Sequence, residues 1–357
     1  MQEKSWLKLL TDRQKLILKA IIEEYVVTNE PVGSKMLTQK PYLDFSSATL
    51  RYEMQHLEET GYLKKTHTSS GRIPSEVGYK FYVDNLIIRD ESVTEYYVYI
   101  EEILEDRFLS ANEKIKKIAD FLSNLTGYYV SIVTYPNDSA KVLRLEIVPL
   151  TTNEAVLLIV TSTGDVESEI IRIPEGFKMD DLLKIIQMFD NAMYGHSIYE
   201  IQDILSNEAS KPRIRQMVDF RDDILNFLIK AFSDFLKGNT VNSGLSRLFN
   251  QPEFQEHKTM QKIVKAVDEE IIKRNKEYAN GGLKIHIGRE NLIPGLDECS
   301  VIITPFSIDD NKNGLITMVG PMRMNYRACV PLLEFVANNM NKLKRSRWFT
   351  WRKRKKK

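Results

Sequence analysis

The first 87 residues alternate short amphipathic segments with residues that cap or break helices, and this pattern limits the possible folds most. Thr11 is a helix-capping residue, and the apolar residues after it recur at the three- and four-residue spacing of a helix. Pro31 marks the end of that helix, and Ser34 can cap a second, shorter one that stops before Pro41. The chain therefore opens with two helices joined by a tight turn.

A third helix and a hairpin complete this N-terminal unit. Ser46 or Ser47 caps the helix, and Gly61 stands where a helix C-terminal cap belongs. Residues 62–65 and 72–73 then predict two short strands around a polar tip. Helix, helix, turn, helix and hairpin is the element order of the winged helix-turn-helix, so residues 1–87 are predicted to bind DNA.

The third helix offers side chains that could read DNA. Its apolar stripe is Leu50, Met54 and Leu57, which leaves its other sides open to solvent. Arginine can pair with guanine, glutamine with adenine, and hydroxyls with phosphate. The candidate DNA-binding residues are Ser46, Ser47, Thr49, Arg51, Tyr52 and Gln55 on the helix, and Lys64, Lys65, His67, Thr68 and Arg72 on the hairpin. The alternative is that these charges only solvate a surface.

Beyond residue 87, strands are concentrated in two stretches that flank a helical block. Residues 128–173 predict a meander of near-continuous apolar strands, and residues 283–319 predict three more strands. Each stretch alone has few strands for a core, so one sheet interrupted by an insertion is favoured over two small sheets. An amphipathic helix at 326–343 ends the folded part. The predicted class is α+β.

Charge is distributed unevenly along the chain. Residues 342–357 carry ten Lys and Arg and no acidic residue, whereas residues 1–341 carry 40 basic and 49 acidic residues. An acidic body repels nucleic acid, so DNA binding has to come from local clusters near the ends. The basic tail could contact DNA or anionic lipid, or it could serve only as a solubilising end.

Enzyme, metalloprotein and membrane-protein motifs are missing from the sequence. It contains no phosphate-binding loop, no nucleophile elbow and no HExxH, and its five histidines are scattered. Cys299 and Cys329 form no CxxC pair and are interpreted as core residues in a reduced cytoplasm. No apolar run approaches the roughly 20 residues of a membrane span. We therefore expect neither enzyme activity nor a cofactor or metal, and no membrane partner.

Sequence blocks along nearly the whole chain resemble one known family. They are residues 10–15, 30–34, 46–51, 57–63, 67–74, 250–254, 287–291 and 319–326. Their content and order are similar to those of the HrcA family of heat-inducible transcription repressors, from about Leu10 to about Leu343. Ser47 and Tyr52 depart from that family's Ser-Pro-Ala-Thr-Ile-Arg-Asn helix start. Base preference at the position of Tyr52 therefore stays open.

The resemblance implies both an architecture and a function. The architecture is a winged helix-turn-helix at 1–87, a GAF-like α/β domain split between 88–175 and 276–343, an inserted, mainly helical dimerisation domain at 176–275, and a basic tail at 344–357. The implied function is repression of chaperone operons by a homodimer on an inverted-repeat operator of double-stranded DNA. The GroEL chaperonin would maintain the active repressor. The alternative is a regulator whose GAF-like domain binds a small molecule.

Overall fold

The computed structural model divides into two compact units. It describes residues 10–66, 71–135, 141–162, 166–173, 179–197, 200, 203–204, 239–267, 281–291, 293–309 and 312–346. The first unit comprises Met1–Ile132, Val241–Phe306 and Leu315–Lys357, and the second comprises Val133–Thr240 and Ser307–Gly314. Within the first unit we call residues 10–86 the head and the remainder the body.

The head has the element order that the sequence predicts. It contains α1 (Asp12–Thr28), α2 (Ser34–Leu37), α3 (Ser47–Glu59), β1 (Leu63–Lys65), β2 (Arg72–Pro74) and α4 (Glu76–Asn85). Thr11 caps α1 by accepting a hydrogen bond from the backbone of Gln14, and Ser46 caps α3 by accepting one from the backbone of Thr49. The predicted caps of these two helices are therefore confirmed.

The interior of the head combines apolar packing with one buried carboxylate. Leu50 and Leu57 of α3 are fully buried together with Ile17 and Ile21 of α1. Glu53, also buried, accepts hydrogen bonds from Arg13 at 3.3 Å and from Gln14 at 3.0 Å. A buried carboxylate is tolerated only when it is paired, so these contacts fix the position of α3 against α1.

Two helices and one strand follow the head in the first unit. They are α5 (Glu95–Glu105), α6 (Ala111–Thr126) and β3 (Tyr129–Thr134). Ser110 and Glu113 form a reciprocal cap at the start of α6, and Gly127 ends it in the left-handed conformation with φ 74°. All six residues of β3 are buried, as expected for a central strand.

The second unit contains a three-stranded antiparallel sheet with one helix. Its elements are β4 (Val142–Pro149), β5 (Glu154–Thr161), β6 (Val166–Arg172) and α7 (Met179–Met193), with β5 in the centre of the sheet. The Asp190 carboxylate of α7 accepts a hydrogen bond from the backbone N–H of Leu145 at 2.6 Å. It also pairs with Arg144 at 3.3 Å, so α7 is held along β4.

The chain then adds four more strands and three helices. The strands, which join the sheet of the first unit, are β7 (Asn239–Ser243), β8 (Lys284–Ile287), β9 (Cys299–Asp309) and β10 (Lys312–Pro321). The helices are α8 (Leu245–Phe249), α9 (His257–Lys265) and α10 (Tyr326–Asn339). The five-stranded sheet has the order β7-β3-β10-β9-β8. None of the described helices is long and apolar enough to span a lipid bilayer.

The prediction of one interrupted sheet is correct for β3 and wrong for the meander. β3 lies between β7 and β10, which follow it by more than 100 residues, whereas β4, β5 and β6 form a sheet of their own. The apolar runs of the meander suggested strands buried on both faces. In β5, however, fully buried residues alternate with half-buried ones, so only one face is deeply covered. Residues 205–238 of the predicted helical block lie outside the described residues.

Both cysteines lie in the core of the first unit. Cys299 and Cys329 are buried, and burial raises the pKa of each thiol, that of Cys329 to about 12. Because the thiolate is the reactive form of cysteine, a buried and protonated thiol is inert. The interpretation of both residues as core residues is therefore confirmed.

We predict that neither thiol reacts with Ellman's reagent while the protein is folded. For Cys329 the thiolate fraction at pH 8 should be roughly a thousandfold below that of a free cysteine. Reaction kinetics in native buffer and in denaturant would measure this, with denatured chain as the two-thiol control. Rapid reaction of a thiol in native buffer would contradict the burial of these residues.

Candidate nucleic-acid interface

One side of α3 is exposed, and it carries the side chains predicted to read DNA. Arg51, Tyr52 and Gln55 are exposed, whereas Leu50 and Met54 are buried. Tyr52 is 70% exposed, the highest value among the large hydrophobic residues of this helix. The helical spacing of the sequence therefore assigned the faces of α3 correctly.

The exposed side of α3 borders a basic concavity formed with α2 and the hairpin. The concavity has a volume of about 670 Å³ and is lined by Gly33, Ser34, Lys35, Arg51, Met54, Gln55, Lys65 and Arg72. Four of these lining residues are basic and none is acidic. A concave surface lined by one sign of charge concentrates the field toward counter-charged ligands such as phosphate.

Ser34 holds Arg51 in the concavity. The Ser34 hydroxyl accepts a hydrogen bond from Arg51 Nε at 3.2 Å and lies 3.1 Å from the hydroxyl of Ser47. The sequence predicts Ser34 as the cap of α2, but Gly33 occupies that position without a side-chain hydrogen bond. The Ser34 hydroxyl is therefore used to position an arginine, a role the sequence analysis missed.

The hydroxyls at the start of α3 already make hydrogen bonds within the head. Ser46 accepts a hydrogen bond from the Thr49 backbone at 3.1 Å, and the two hydroxyls lie 2.9 Å apart. Ser47 is engaged with Ser34. These groups sit beside the free backbone amides of the first helical turn, where anions bind most readily. Their first role here is to fix the helix start, and phosphate binding would be an additional role.

Gln55 and Glu59 share the exposed side of α3. The Gln55 amide donates a hydrogen bond to the Glu59 carboxylate at 2.9 Å. To pair with an adenine, Gln55 would have to give up this contact. Glu59 also adds negative charge at the C-terminal end of the exposed side, so the favourable surface for DNA is its N-terminal half.

The hairpin supplies two exposed lysines and one arginine with a structural role. Lys64 and Lys65 are exposed, whereas the Arg72 side chain is only 16% exposed and pairs with Glu58 of α3 at 2.6 Å. The Arg72 backbone also exchanges two 2.9 Å hydrogen bonds with that of Val32. Arg72 therefore ties the hairpin to the helices. The predicted residues His67 and Thr68 lie outside the described residues.

The structure brings together five of the predicted residues and adds two. Ser47 contacts the concavity through Ser34, and Arg51, Gln55, Lys65 and Arg72 line it. Ser34 and Lys35 belong to the same site and were not predicted from the sequence as DNA-binding residues. The only sequence signal for them was the block 30–34 that carries the family resemblance: Ser34 is its last residue, and Lys35 follows it directly.

Comparisons with known proteins match nearly the whole chain. Residues 112–330 match the family model described as the HrcA protein C terminal domain. The chain is 38% identical over 335 residues to the heat-inducible transcription repressor HrcA of Acholeplasma laidlawii, covering 94% of this chain and 98% of that one. It is 37% identical over 331 residues to the protein of the same name from Lysinibacillus sphaericus, covering 92% and 96%.

A solved structure shares the fold. A crystal structure of a hypothetical protein covers 95% of this chain and 100% of its own, with a TM-score of 0.62 and 20% sequence identity. At that identity the likeness concerns the fold alone.

We predict that the Arg72–Glu58 pair contributes to stability. Its side chains are mostly buried, so Arg72→Gln or Glu58→Gln should lower the free energy of unfolding by about 1 kcal/mol. The double substitution should cost less than the sum of the two, because both remove one interaction. Urea unfolding of the full chain would measure these effects.

The matched control is the pair Arg172–Glu154, whose side chains are 91% and 43% exposed and 3.9 Å apart. Arg172→Gln and Glu154→Gln should leave the free energy of unfolding nearly unchanged. Strict additivity at Arg72 and Glu58 would show that their contact contributes nothing.

Proposed function

Because this chain belongs to the HrcA family of heat-inducible transcription repressors, we propose that it represses chaperone operons by binding an inverted-repeat operator with its head. In this proposal the head is a winged helix-turn-helix and the body is a GAF-like domain. A transcription repressor works where the chromosome is, so we assign the protein to the cytoplasm. Its relatives are named as repressors, which supports a regulator and not an enzyme.

The observation that carries the DNA-binding proposal is the basic concavity beside the exposed side of α3. Arg51 is presented there by Ser34, and Lys35 and Lys65 flank it. With α3 in the major groove, Arg51 and Tyr52 would reach base edges, and the lysines would contact the phosphates on either side. The residues that the sequence predicts for DNA contact then divide into base-reading and backbone-binding groups.

The inverted repeat supports the proposal of a homodimer. Two half-sites of opposite direction require two heads related by a twofold axis. The family resemblance assigns dimerisation to residues 176–275, but β7, α8 and α9 of that range belong almost wholly to the first unit. We therefore propose that dimerisation depends on residues 133–240, the longer of the two segments of the second unit, which includes α7.

The chaperonin part of the proposal is supported by how the sheet of the body is assembled. β3 has to wait for β7 and β10, which follow it by more than 100 residues. Non-local strand pairing is slow and leaves apolar surface exposed during folding, which favours capture by a chaperonin. GroEL would then keep the repressor active, and unfolded protein that occupies GroEL after heat shock would relieve repression.

The alternative of a small-molecule sensor finds less support. It would require convergent polar side chains in a cavity of the body. Along β3 the sheet is buried, and the buried hydroxyl of Ser300 is already used, 2.5 Å from that of Tyr326. A cavity of about 450 Å³ does border the body at β8, but α4 of the head forms its other side, so it is not enclosed by the body alone. We retain the repressor without a ligand as the proposal.

The central experiment measures binding of the full chain to the inverted repeat upstream of its own chaperone genes. A gel shift at a stated salt concentration would compare fresh protein, mildly heated protein and heated protein refolded with GroEL and ATP. We expect heating to abolish binding and GroEL to restore it without entering the DNA complex. Recovery without GroEL to the same extent would remove the chaperonin from the proposal.

We predict different effects for Arg51→Ala and Lys64→Ala. Loss of Arg51 should cost about 1–3 kcal/mol on the operator and relax the base preference at one position. Loss of Lys64 should weaken binding to all duplexes similarly. It should also reduce the slope of the logarithm of the binding constant against the logarithm of salt concentration by about 1. Fluorescence anisotropy on operator and scrambled duplexes would separate them. Operator affinity unchanged by Arg51→Ala would exclude α3 as the reading helix.

We also predict that removing the second unit gives a monomer. Replacing residues 136–238 by a short Gly/Ser linker should leave the first unit folded and reduce operator affinity by roughly a hundredfold through lost bivalency. Sedimentation velocity would report the mass, and circular dichroism would report folding. A folded deletion variant that is still dimeric would place the interface in the first unit.

A further inference from the structure

Head and body of the first unit are joined by a charged bridge. Arg327, in the first turn of α10, pairs with Glu23 of α1 at 3.2 Å. The same Glu23 oxygen accepts a hydrogen bond from the Tyr82 hydroxyl of α4 at 3.4 Å. Arg327 Nε also donates to the carbonyl of Ile88, in the segment that links head to body, at 3.1 Å. One arginine of the body thus holds two helices of the head and the linker.

A second contact joins α4 to the turn after β8. Lys80 of α4 lies 3.4 Å from the Glu290 carboxylate, and its ammonium donates to the Ile285 carbonyl at the same distance. Gly288 has a φ of 60°, and a Cβ there would approach the Glu76 side chain to 2.7 Å. Only glycine fits this turn, because it combines left-handed backbone with close approach of the head.

Helix α4, which takes part in both contacts, also carries a buried tyrosine. Tyr79 is 2% exposed, its ring centroid lies 6.4 Å from that of Tyr326, and its hydroxyl has no hydrogen-bond partner among the described residues. Burial raises the pKa of Tyr79, so the hydroxyl keeps its proton and remains an unsatisfied donor. Such a group disfavours the closed contact by roughly tenfold relative to an open state in which water reaches it.

We propose that this head–body contact is a latch that fixes the orientation of the head and releases it on heating. The proposal rests on the DNA-binding function above. Two heads can occupy both half-sites only if their orientation and spacing match the repeat. A released head samples many orientations, so the bivalent complex loses affinity although the DNA-contacting residues are intact. Release of the latch would therefore derepress without unfolding the head.

The composition of the latch makes it a weak contact. Its ion pairs are partly exposed, with the Arg327 and Glu23 side chains 37% and 22% accessible, so water and salt weaken them. The Tyr79 hydroxyl opposes closure, whereas the aromatic rings favour it. Release lets the head move and so gains conformational entropy, so a rise in temperature shifts this weak contact toward release.

The test measures latch opening and operator binding separately in the full chain. Dyes on Val27→Cys in the head and Phe108→Cys in the body report their distance by energy transfer, because both positions are exposed and the two native cysteines are buried. Labelled chain is diluted with unlabelled chain, so that transfer occurs within one copy. Operator affinity of each variant is measured over the same range of temperature.

Three variants should shift the opening temperature down, shift it up and leave it unchanged. Glu23→Gln should shift opening toward lower temperature and raise the open fraction roughly fivefold at a given temperature. Tyr79→Phe, which removes the unsatisfied hydroxyl, should shift opening upward. Glu101→Gln, which removes a carboxylate from a pair with Lys342 within the body, should change neither measurement. In each variant, loss of operator binding should follow opening.

Charge exchange guards against a folding artefact. Glu23→Arg combined with Arg327→Glu should recover part of the closed population that either substitution alone loses. Energy transfer unchanged by Glu23→Gln and Tyr79→Phe would overturn the latch. Normal opening in a protein that binds no operator at low temperature would instead overturn the proposed function and leave the latch supported.

Discussion

The pairing of β3 with strands that follow it by more than 100 residues is the constraint on which the first unit depends. Until β7 and β10 are in place, β3 has no neighbouring strand in the sheet, although all six of its residues are buried in the folded protein. The chain must therefore bring distant segments together before this core exists, and loop closure of that length is entropically costly. This cost is the physical reason to expect assistance in folding and sensitivity to heat.

The same sheet places the residues that hold the head. Tyr326 and Arg327 begin α10, which follows β10, and Gly288 and Glu290 follow β8. Arg323 is fixed by the Glu253 carboxylate at 2.5 Å, from the segment after α8. The sequence blocks 250–254 and 319–326 therefore contact each other, although Glu253 and Arg323 are 70 residues apart in the chain. The orientation of the head thus depends on completion of a core that it does not itself contain.

The helices of the head could be predicted because short-range contacts define them, whereas contacts between residues distant in sequence could not. Thr11 and Ser46 announce their helices because a capping hydroxyl acts on an amide three residues away. Nothing in the sequence indicates that Ser34 would hold Arg51, or that Arg72 would pair with Glu58, because those partners are 14 to 17 residues apart. The separate sheet of the second unit was missed for a related reason. Apolar runs indicate strands but do not indicate which strands become neighbours.

The head carries few cations that are available to bind phosphate, so its affinity for DNA depends on the rest of the molecule. With Arg72 engaged by Glu58 and Arg13 by Glu53, the described exposed cations near α3 that pair with no described carboxylate are Lys35, Arg51, Lys64 and Lys65. Each phosphate contact contributes only a small, salt-dependent part of the affinity, so one head with so few cations binds DNA weakly. In the proposed homodimer, strong binding would require two heads acting together, and their joint binding would be only as strong as the constraint on their orientation. A repressor of the proposed kind would lose its operator through small changes far from the DNA, because its affinity would reside in the arrangement of the heads more than in either head alone.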